Sequence, residues 1–451
     1  MRKRSIAIAA VLMLVAVACG GDDATTTTGG APTTTTTAAS ATTQAPTTTA
    51  APSGVTCDEP ITIGVIGDFS GPLAIYGAHV ARGIPIGFAY ATGGEPQAGT
   101  EQTYMLDNCE IRVLVRDDQS DVDIAATAAR ELIEVEGAEI LVGSISSGVT
   151  ATLQGIAAEN DVILVVPAAA ATDITGKDFH PNTFRSSRSN YQDGIAICDQ
   201  FVNNDGYETF VQIAPDYSFG YGGAQAYEDA CTFFGGTFLA DPVFAPADTT
   251  DFTTYLEPFA DTDADAFLVT WAGGGFVPLL QAAIDLGVVD DDTVLGSPFV
   301  DNVVMPAFFG NAVGTTSVIL YHHTLPDNPV NDYLVDQAAA MGAVPDLFDP
   351  DAMDAAILVI EALRATNGSS DPNDLRAAVE GMSFEGPKGT IEIRAEDHMA
   401  IQDIYVVTLA GFGDAGPEYD YVATVRPVPP CLLEGDYLDR CGDLPVGSLG
   451  G

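Results

Sequence analysis

The sequence predicts an α/β fold with two doubly wound lobes, each a parallel sheet covered by helices. Short apolar runs alternate with helix-like patterns along most of the chain, which is the order of elements in parallel α/β folds. The runs are hydrophobic at nearly every position, as strands buried on both faces require. The alternation comes in two successive blocks of similar size, and 451 residues are enough for two separate cores.

The first block contains four predicted strands with helices between them. The strands are the apolar runs at residues 61–67, 111–117, 139–144 and 162–167. The helix patterns run from Tyr76 to about Ala91, over residues 123–135 and over residues 150–159. The second block repeats the arrangement with strands at residues 209–215, 237–245, 266–272 and 293–297. Its helices are predicted near residues 191–203, 221–234 and 276–286.

Six loops follow the predicted strands, and they are rich in glycine, serine and aromatic residues. Ligands bind at the carboxyl ends of parallel strands, so the loops of two facing lobes predict one shared pocket. The loops are GDFSGPLAIYG (67–77), GSISSG (143–148), PAAAATDIT (167–175), APDYSFGYG (214–222), WAGGG (271–275) and GSPF (296–299).

The N-terminus has the pattern of a signal peptide followed by a lipid attachment site. A basic segment precedes an apolar run that is too short to span a bilayer comfortably. Cys19 follows small residues and resembles the cysteine of a bacterial lipobox. Residues 1–18 are therefore predicted to be removed, and residues 19–56 to form a lipidated, disordered Thr/Ala/Pro tether. This predicts an exported protein at the extracellular face of the cytoplasmic membrane, held there only by its lipid anchor.

The other six cysteines are predicted to form disulfides. An even number of cysteines in an exported chain favours disulfides, and six cysteines allow fifteen pairings. Their positions favour Cys57 with Cys109, Cys198 with Cys231, and Cys431 with Cys441. None of them has the spacing of a metal site, so we expect no metal and no cofactor.

The charge of the chain is strongly negative. It has 16 Lys and Arg against 63 Asp and Glu, a formal net charge of −47. Such a surface repels nucleic acid and anionic membranes, so neither is an expected partner. We interpret the excess of acidic residues as a solubility device of an exported chain, with a cation-binding role as the alternative.

Motifs for catalysis are missing from the loops. A nucleophile elbow needs G-x-S-x-G, but position 144 is serine, so glycines do not bracket Ser146, and Ser70 stands fourth in GDFSG. The sequence has no Walker A motif, no G-x-G-x-x-G after a strand and no H-E-x-x-H. His79 lies inside the first helix and is interpreted as solvated. We therefore expect a protein that is not an enzyme, with a hydrolase that uses Ser147 as the alternative.

The same loops are suited to holding a ligand. Ser146 or Ser147 can cap the helix that follows, where free N–H groups favour a carboxylate or another electron-rich group. Trp271, the only tryptophan, ends a strand beside AGGG and is predicted to face the pocket, with a core position as the alternative. Tyr217 and Phe219 offer an aromatic wall opposite.

From residue 57 to about 410 the sequence resembles the branched-chain amino-acid (Leu/Ile/Val) type of substrate-binding protein that serves ABC importers. The segments that carry the resemblance are IGVIGDFSGPLAIYG, VRDDQSDVDIAATAARELI, VGSISSGVTATLQGIAAENDVILVVPAAAA, TDFTTYLEPFADTDADAFLV and GPKGTIEIRAEDHMAIQDIYVVTL. The resemblance implies the type I periplasmic-binding-protein fold, with three crossover strands near residues 183–188, 317–324 and 395–400. Lobe 1 is then predicted to span residues 57–182 plus 324–395. Lobe 2 is predicted to span residues 183–323 plus 396–451, with a C-terminal tail.

The resemblance also implies ligand-binding positions. The serine that binds the ligand carboxylate in amino-acid members falls on Ser147, the first-loop tyrosine on Tyr76, and an alanine whose backbone lines the site on Ala168. Ala170 stands where those members have a threonine, and Pro298 where they have the acidic partner of the ammonium group. Phe219 replaces a second-lobe tyrosine. The complete predicted set is Ser70, Tyr76, Ser146, Ser147, Ala168, Ala170, Tyr217, Phe219, Trp271 and Pro298.

These departures argue against a plain α-amino acid as the ligand. A buried ammonium without its anion costs several kcal/mol, more than a lost hydrogen bond at about 1 kcal/mol. Unless Asp68, Asp216 or Asp301 supplies the anion, we expect an amide, a urea-like solute, or an aromatic or short-chain carboxylate stacked on Trp271 and Phe219. The predicted function is solute capture by hinge closure and delivery to an ABC permease and its ATPase, by a monomer. A ligand sensor on the same clamp, coupled to a signalling partner, is the alternative.

Overall fold

A computed structural model describes residues 54–290, 292–298, 313–413, 416–446 and 449. In this part of the chain, strands and helices follow the order of the two predicted blocks. The helices are α1 Ala74–Thr92, α2 Val122–Glu134, α3 Ser147–Asn160, α4 Asn190–Cys198, α5 Ser218–Phe234, α6 Thr253–Leu256, α7 Phe276–Asp285, α8 Pro329–Ala340, α9 Asp349–Ala365 and α10 Pro372–Val379. Shorter helical turns lie at Thr172–Thr175, Asp199–Asp205, Glu257–Phe259 and Gly435–Cys441.

The first sheet has six strands in the order β2-β3-β1-β4-β5-β6. These strands are β1 Ile61–Gly67, β2 Glu101–Leu106, β3 Cys109–Asp117, β4 Ala138–Val142, β5 Ile163–Val166 and β6 Thr183–Arg185. All neighbours are parallel except β2, which pairs antiparallel with β3. β2 alternates exposed and buried positions, as an edge strand does, and therefore lacks the continuous apolar run that predicted the inner strands.

The second sheet has the strands β7 Thr209–Pro215, β8 Thr237–Phe238, β9 Val243–Ala245, β10 Ala266–Val269 and β11 Val294–Gly296, all paired in parallel. β7 lies at its centre and pairs with β8, β9 and β10. The single strand predicted for residues 237–245 is two short strands, β8 and β9. Pro242 lies between them, and proline has no N–H to give to a sheet.

Two antiparallel three-stranded sheets follow, and for this part of the chain only crossover strands near residues 317–324 and 395–400 were predicted. One contains β12 Thr316–Ile319, β16 Ile404–Gly413 and β17 Gly416–Val425, and the other contains β13 Ser383–Gly386, β14 Gly389–Ile393 and β15 Ala400–Ile401. We use first lobe for the six-stranded sheet with α1–α3, α8–α10 and β13–β15. We use second lobe for the second sheet with α4–α7 and the β12-β16-β17 sheet, because β12 contacts α4.

The chain passes between the lobes in segments 186–189, 320–328 and 402–403, which we call the hinge segments. Residues 183–185, assigned to lobe 2 from the sequence, form β6 at the edge of the first sheet instead. The predicted tether ends too late, since Val55 is buried and Thr56 forms a β-bridge with Asn108. The predicted signal peptide, Cys19 and the tether up to residue 53 lie outside the described residues.

Helix α1 packs closely on α9, so two parts of the first lobe that are far apart in sequence are in contact. The sequence GIPIG places Gly83 and Gly87 on the contacting face, where an added Cβ at Gly83 would lie 2.4 Å from the carbonyl oxygen of Asp349. Arg82 of the same helix forms a 2.5 Å ion pair with Asp349, the buried first residue of α9. Small side chains let the backbones approach, and the ion pair sets the position of the helix start that faces the cleft.

Three disulfides join the described cysteines, and they are the three pairs that position along the chain favoured. Cys57–Cys109 ties the segment before β1 to β3, Cys198–Cys231 ties α4 to α5, and Cys431–Cys441 closes a loop in the tail. Among the described helices, none is both long enough and apolar enough to cross a membrane.

Candidate ligand-binding site

A cleft lies where the loops at the carboxyl ends of both sheets meet. Loops after β1, β4 and β5 of the first lobe and after β7 and β10 of the second lobe contribute to it, as expected for parallel sheets. The space within it is about 300 Å³, counted with the part that opens to solvent. Its lining residues are Leu73, Tyr76, Ile145, Ser147, Ala168, Ala170, Arg188, Tyr217, Phe219, Ala272 and Phe348.

Ser147 is the first residue of α3, and its side chain is buried in the cleft wall. Its Oγ accepts a 3.2 Å hydrogen bond from the N–H of Ala171, which fixes the side chain against the loop after β5. A hydroxyl that accepts in this way retains its own proton as a donor. The first turn of a helix also carries partial positive charge. Ser147 is therefore oriented to donate to an electron-rich ligand atom.

Two buried arginines hold the PAAAA loop after β5. Arg185 donates to the carbonyl oxygens of Ala169 and Ala171. Arg188 donates from Nη1 to the carbonyl oxygen of Ala168 at 2.9 Å, and its Nε lies 3.3 Å from Asp193 Oδ1. Both arginines belong to the sequence FRSSR (184–188), which runs from the end of β6 into the first hinge segment. The loop backbone is rigidly held, and a guanidinium reaches the cleft wall.

Aromatic rings form much of the remaining wall. Tyr76 of α1 packs edge-on against Phe348, with the ring centres 5.3 Å apart. Tyr217 and Phe219, at the start of α5, have ring centres 5.9 Å apart and face the cleft from the second lobe. Burial raises the pKa of Tyr217, so its phenol stays protonated at neutral pH and can donate a hydrogen bond.

The two lobes touch across the cleft, which is closed in this structure. The N–H of Gly273, in the loop after β10, donates to Tyr76 Oη at 3.3 Å. Gly273 has φ +80°, and an added Cβ there would lie 2.8 Å from the carbonyl oxygen of Pro72. Glycine is needed at this position both for its backbone conformation and for the close approach of the first lobe.

The buried carboxylate of Asp68 holds the conformation of the loop after β1 through hydrogen bonds. Asp68 accepts hydrogen bonds from the N–H of Gly71 at 2.5 Å, from the N–H of Leu73 at 2.8 Å and from Ser120 Oγ at 2.6 Å. Its role is thus to organise the loop, and it does not line the cleft.

Of the other two acids named as substitute anions, only Asp216 lies in the described part, and it does not line the cleft either. Tyr221 donates to the exposed Asp216, and Asp301 lies outside the described residues. Among the described lining residues there is no Asp or Glu, so an ammonium group would meet no counter-ion from them. The described lining does contain a cationic group, the guanidinium of Arg188.

Residues 60–416 match the family described as periplasmic binding protein. The chain belongs to the periplasmic binding protein family. Leu/Ile/Val-binding protein homolog 6 of Brucella melitensis biotype 1 is similar to it, with 26% identity over 362 residues that cover 78% of this chain and 88% of the relative.

Solved structures show the same fold. A crystal structure of an ABC-type branched-chain amino acid transporter from Rhodopseudomonas palustris is 29% identical, has a TM-score of 0.69, and covers 83% of this chain and 100% of that chain. A solute binding protein from the same species, crystallised with 4-hydroxybenzoate, is 24% identical, with a TM-score of 0.71 and coverage of 82% and 97%. The periplasmic binding protein described here thus has the type I fold, and it is similar to binding proteins of the branched-chain amino-acid type.

In this binding protein, six of the ten predicted ligand-binding residues lie together in the cleft wall. They are Tyr76, Ser147, Ala168, Ala170, Tyr217 and Phe219. Ser70 lies elsewhere, because its exposed hydroxyl donates to Asp117 Oδ2 at 2.5 Å. Ser146 occupies the N-cap position of α3, yet its side chain makes no capping hydrogen bond, and it does not line the cleft.

Trp271 is placed in the core of the second lobe and not in the cleft wall. Its ring is 1% exposed, packs edge-on against Phe252 at 4.9 Å and lies beneath Gly275. The neighbouring Ala272, in the loop after β10, lines the cleft instead. Pro298 is buried, adjoins residues outside the described part and is not among the described lining residues.

Five lining residues were not predicted individually: Leu73, Ile145, Arg188, Ala272 and Phe348. Three of them belong to loops that the sequence did single out. Arg188 carries no motif, although a second arginine close to Arg185 stands out in a chain with so few basic residues. Phe348 precedes α9 rather than following a strand, so the rule that located the other loops does not reach it.

A histidine lies beside the cleft residue Tyr76. His79, expected to be solvated, is buried beside Tyr76, and burial lowers its pKa to about 3, so its ring is neutral at physiological pH. In the described part of this binding protein, no group of three or more His, Cys, Asp or Glu residues is placed to hold a metal ion.

Proposed function

We propose that this binding protein is exported and lipid-anchored through Cys19, captures a small carboxylate in the cleft by hinge closure, and delivers it to an ABC permease and its ATPase. The observation that carries the proposal is the composition of the cleft wall. It combines aromatic rings with a serine hydroxyl at a helix start and one guanidinium.

The wall favours a carboxylate among the ligand classes considered. The Arg188 guanidinium, Ser147 hydroxyl and Tyr217 phenol are all able to donate hydrogen bonds. An amide or urea-like solute needs acceptors for its N–H groups, and the described lining offers no carboxylate to accept them. A charge-assisted bond to arginine is about twice as strong as a neutral one.

The body of the ligand is proposed to be aromatic or short and apolar. Tyr76, Phe219 and Phe348 offer ring faces and edges to such a ligand. The relative crystallised with 4-hydroxybenzoate shares the fold, and that compound serves here as a probe of the chemistry.

Native mass spectrometry of gently purified protein, followed by thermal shift and calorimetry, tests the ligand. The compounds are 4-hydroxybenzoate, benzoate and 4-methylpentanoate, with 4-hydroxybenzamide, urea, leucine and valine for comparison. We expect a raised melting temperature with one or more of the acids that lack an ammonium group. Stabilisation by leucine or valine alone would overturn the proposed ligand class.

Arg188→Gln separates charge recognition from packing. A hydrogen bond to a charged group contributes about 1.5–3 kcal/mol, so we expect roughly 10- to 100-fold weaker binding of the carboxylate that wild type prefers. Binding of its amide analogue should change far less. An equal loss for acid and amide would show that Arg188 only positions Ala168 and Asp193.

A further inference from the structure

We propose that residues 426–446, here called the strap, cross the hinge and hold the two lobes in the closed arrangement seen in this structure. The strap follows β17 and contains the Cys431–Cys441 disulfide. The family match ends at residue 416, so the strap lies beyond it. The proposal concerns the hinge and does not depend on which solute is bound.

The strap begins at the second lobe and at the third hinge segment. Arg426, directly after β17, donates from Nη2 to the carbonyl oxygen of Ile401 at 2.8 Å and forms a 3.1 Å ion pair with Asp403. The buried Gln192 of α4 donates from Nε2 to the carbonyl oxygen of Ala400 at 3.1 Å and to that of Pro427 at 3.5 Å. The start of the strap thus continues from β17 of the second lobe and reaches α4 through Pro427. Arg426 also ties it to β15 of the first lobe and to the third hinge segment.

The strap then packs on the first lobe. The carbonyl oxygen of Pro429 accepts a 2.8 Å hydrogen bond from Arg394 Nη1. Cys431, Leu433 and Cys441 form a small apolar cluster with Phe179 of the segment before β6. Tyr437 packs edge-on against Phe179, with the ring centres 5.0 Å apart. This cluster buries apolar area that would be exposed if the strap left the first lobe.

Arg440 attaches the strap to the first lobe. Its Nη2 lies 2.8 Å from Glu380 Oε1 and donates to the carbonyl oxygen of Ala395 at 2.5 Å. Glu380 in turn lies 3.1 Å from Nε2 of the buried His398, whose Nδ1 lies 2.9 Å from the carbonyl oxygen of Thr183. A continuous series of polar contacts therefore runs from Arg440 through Glu380 and His398 to Thr183 of β6. His398 precedes the third hinge segment, and β6 leads into the first hinge segment.

Lobe opening would have to strain or break some of these contacts. Hinge motion in two-lobed binding proteins is absorbed by the few residues that connect the lobes. The strap adds contacts to both lobes while the cleft is closed, so it lowers the free energy of the closed state relative to an open one. Its removal is expected to shift the population of ligand-free molecules towards open forms.

Pulsed electron paramagnetic resonance on ligand-free protein tests this shift directly. Nitroxides attached at Thr127→Cys on α2 and Gln281→Cys on α7 report the distance between the lobes, since both positions are exposed. The strap is weakened by Arg440→Ala, or removed by a stop codon after Val425. Arg112→Ala, which breaks the surface ion pair with Glu136 on the first lobe, is the matched control.

We expect a shift towards longer distances, or a second population there, in both strap variants and no change in the control. Distributions that superimpose on that of the wild type would overturn the proposal. Near-ultraviolet circular dichroism checks folding, and whichever strap variant folds decides the outcome. If neither folds, the strap is part of the core and the proposal also fails.

Discussion

The polar chemistry of the cleft depends on a few side chains that are fixed by backbone contacts. Ser147 is fixed through the N–H of Ala171 and Arg188 through the carbonyl oxygen of Ala168, so both residues depend on the loop after β5. This coupling means that the alanines of PAAAA contribute through their backbone. A preorganised site of this kind loses little side-chain entropy when a ligand binds.

Ser147→Ala should weaken carboxylate binding by roughly fivefold, the equivalent of about 1 kcal/mol for one hydrogen bond. Calorimetry with the acid that stabilises the wild type most gives the measurement. Ser146→Ala is the control, because that side chain makes no capping bond and lies outside the cleft wall. We expect less than a twofold change for it. Equal effects of the two substitutions would contradict the assignment of Ser147.

Single residues were predicted from the sequence only where a loop follows a strand. That rule located Ser147 and Phe219, since each follows the carboxyl end of a buried strand, and the resemblance to binding proteins added Tyr76. It could not tell which of two neighbours faces the cleft, so Trp271 was chosen where Ala272 is the lining residue. Arg188 and Phe348 reach the cleft from a hinge segment and a helix start, and only the folded arrangement reveals them.

Among the elements, the C-terminal end of α10 carries a carboxylate, Glu380, whose ionisation is linked to the strap through Arg440. Hydrogen bonds from His398 and Arg440 outweigh burial and lower the pKa of Glu380 from 4.5 to about 2. A lowered carboxyl pKa stabilises the folded state above the unfolded pKa, and this stabilisation is lost as the pH falls towards the folded one. The window for Glu380 is therefore about pH 4.5 down to about pH 2.

Urea unfolding of wild type and Glu380→Gln between pH 6 and pH 2.5 measures this linkage. The free energy of unfolding of the wild type should exceed that of the variant at pH 6, and the difference should shrink through the window. Other carboxylates titrate in both proteins and cancel in the comparison. A difference that stays constant with pH would show that the Glu380 charge does not contribute to stability.

Two strands with an unbroken apolar run were predicted with their full bounds. β1 and β7 match the predicted residues 61–67 and 209–215 because both are buried along their whole length or nearly so. β17 is largely exposed and offers no such run, and β2 alternates at an edge. The path of the strap depends on contacts with Phe179 and Glu380, which are far away in sequence, so local patterns could not predict it.

Across the whole molecule, a net charge of −47 opposes the compact state. Repulsion among like surface charges destabilises folding, and salt screens it over about 10 Å at 0.1 M and about 3 Å at 1 M. The arginines at the surface of the described part pair locally with acids, as Arg112 does with Glu136 and Arg116 with Glu131. The remaining acidic excess is distributed over a large surface.

The melting temperature should therefore rise as NaCl increases from 10 mM to 0.5 M at pH 7, as followed by calorimetry. Choline chloride at the same ionic strength is the control, because screening depends on ionic strength and not on the identity of the cation. Equal rises support general repulsion. A rise specific to sodium would indicate a cation site instead, and no rise would show that repulsion is unimportant.

The burial of the single indole of this chain has a spectroscopic consequence. Near-ultraviolet excitation at the red edge of protein absorption selects Trp271 alone, and this ring lies within the core of the second lobe. Its neighbour Ala272 lines the cleft, and Gly275 packs over its Nε1. Tryptophan fluorescence from the native protein therefore comes from one environment. One peptide bond joins this residue to Ala272 in the cleft wall. The fluorescence of Trp271 can therefore report movement of the loop after β10 without an added label.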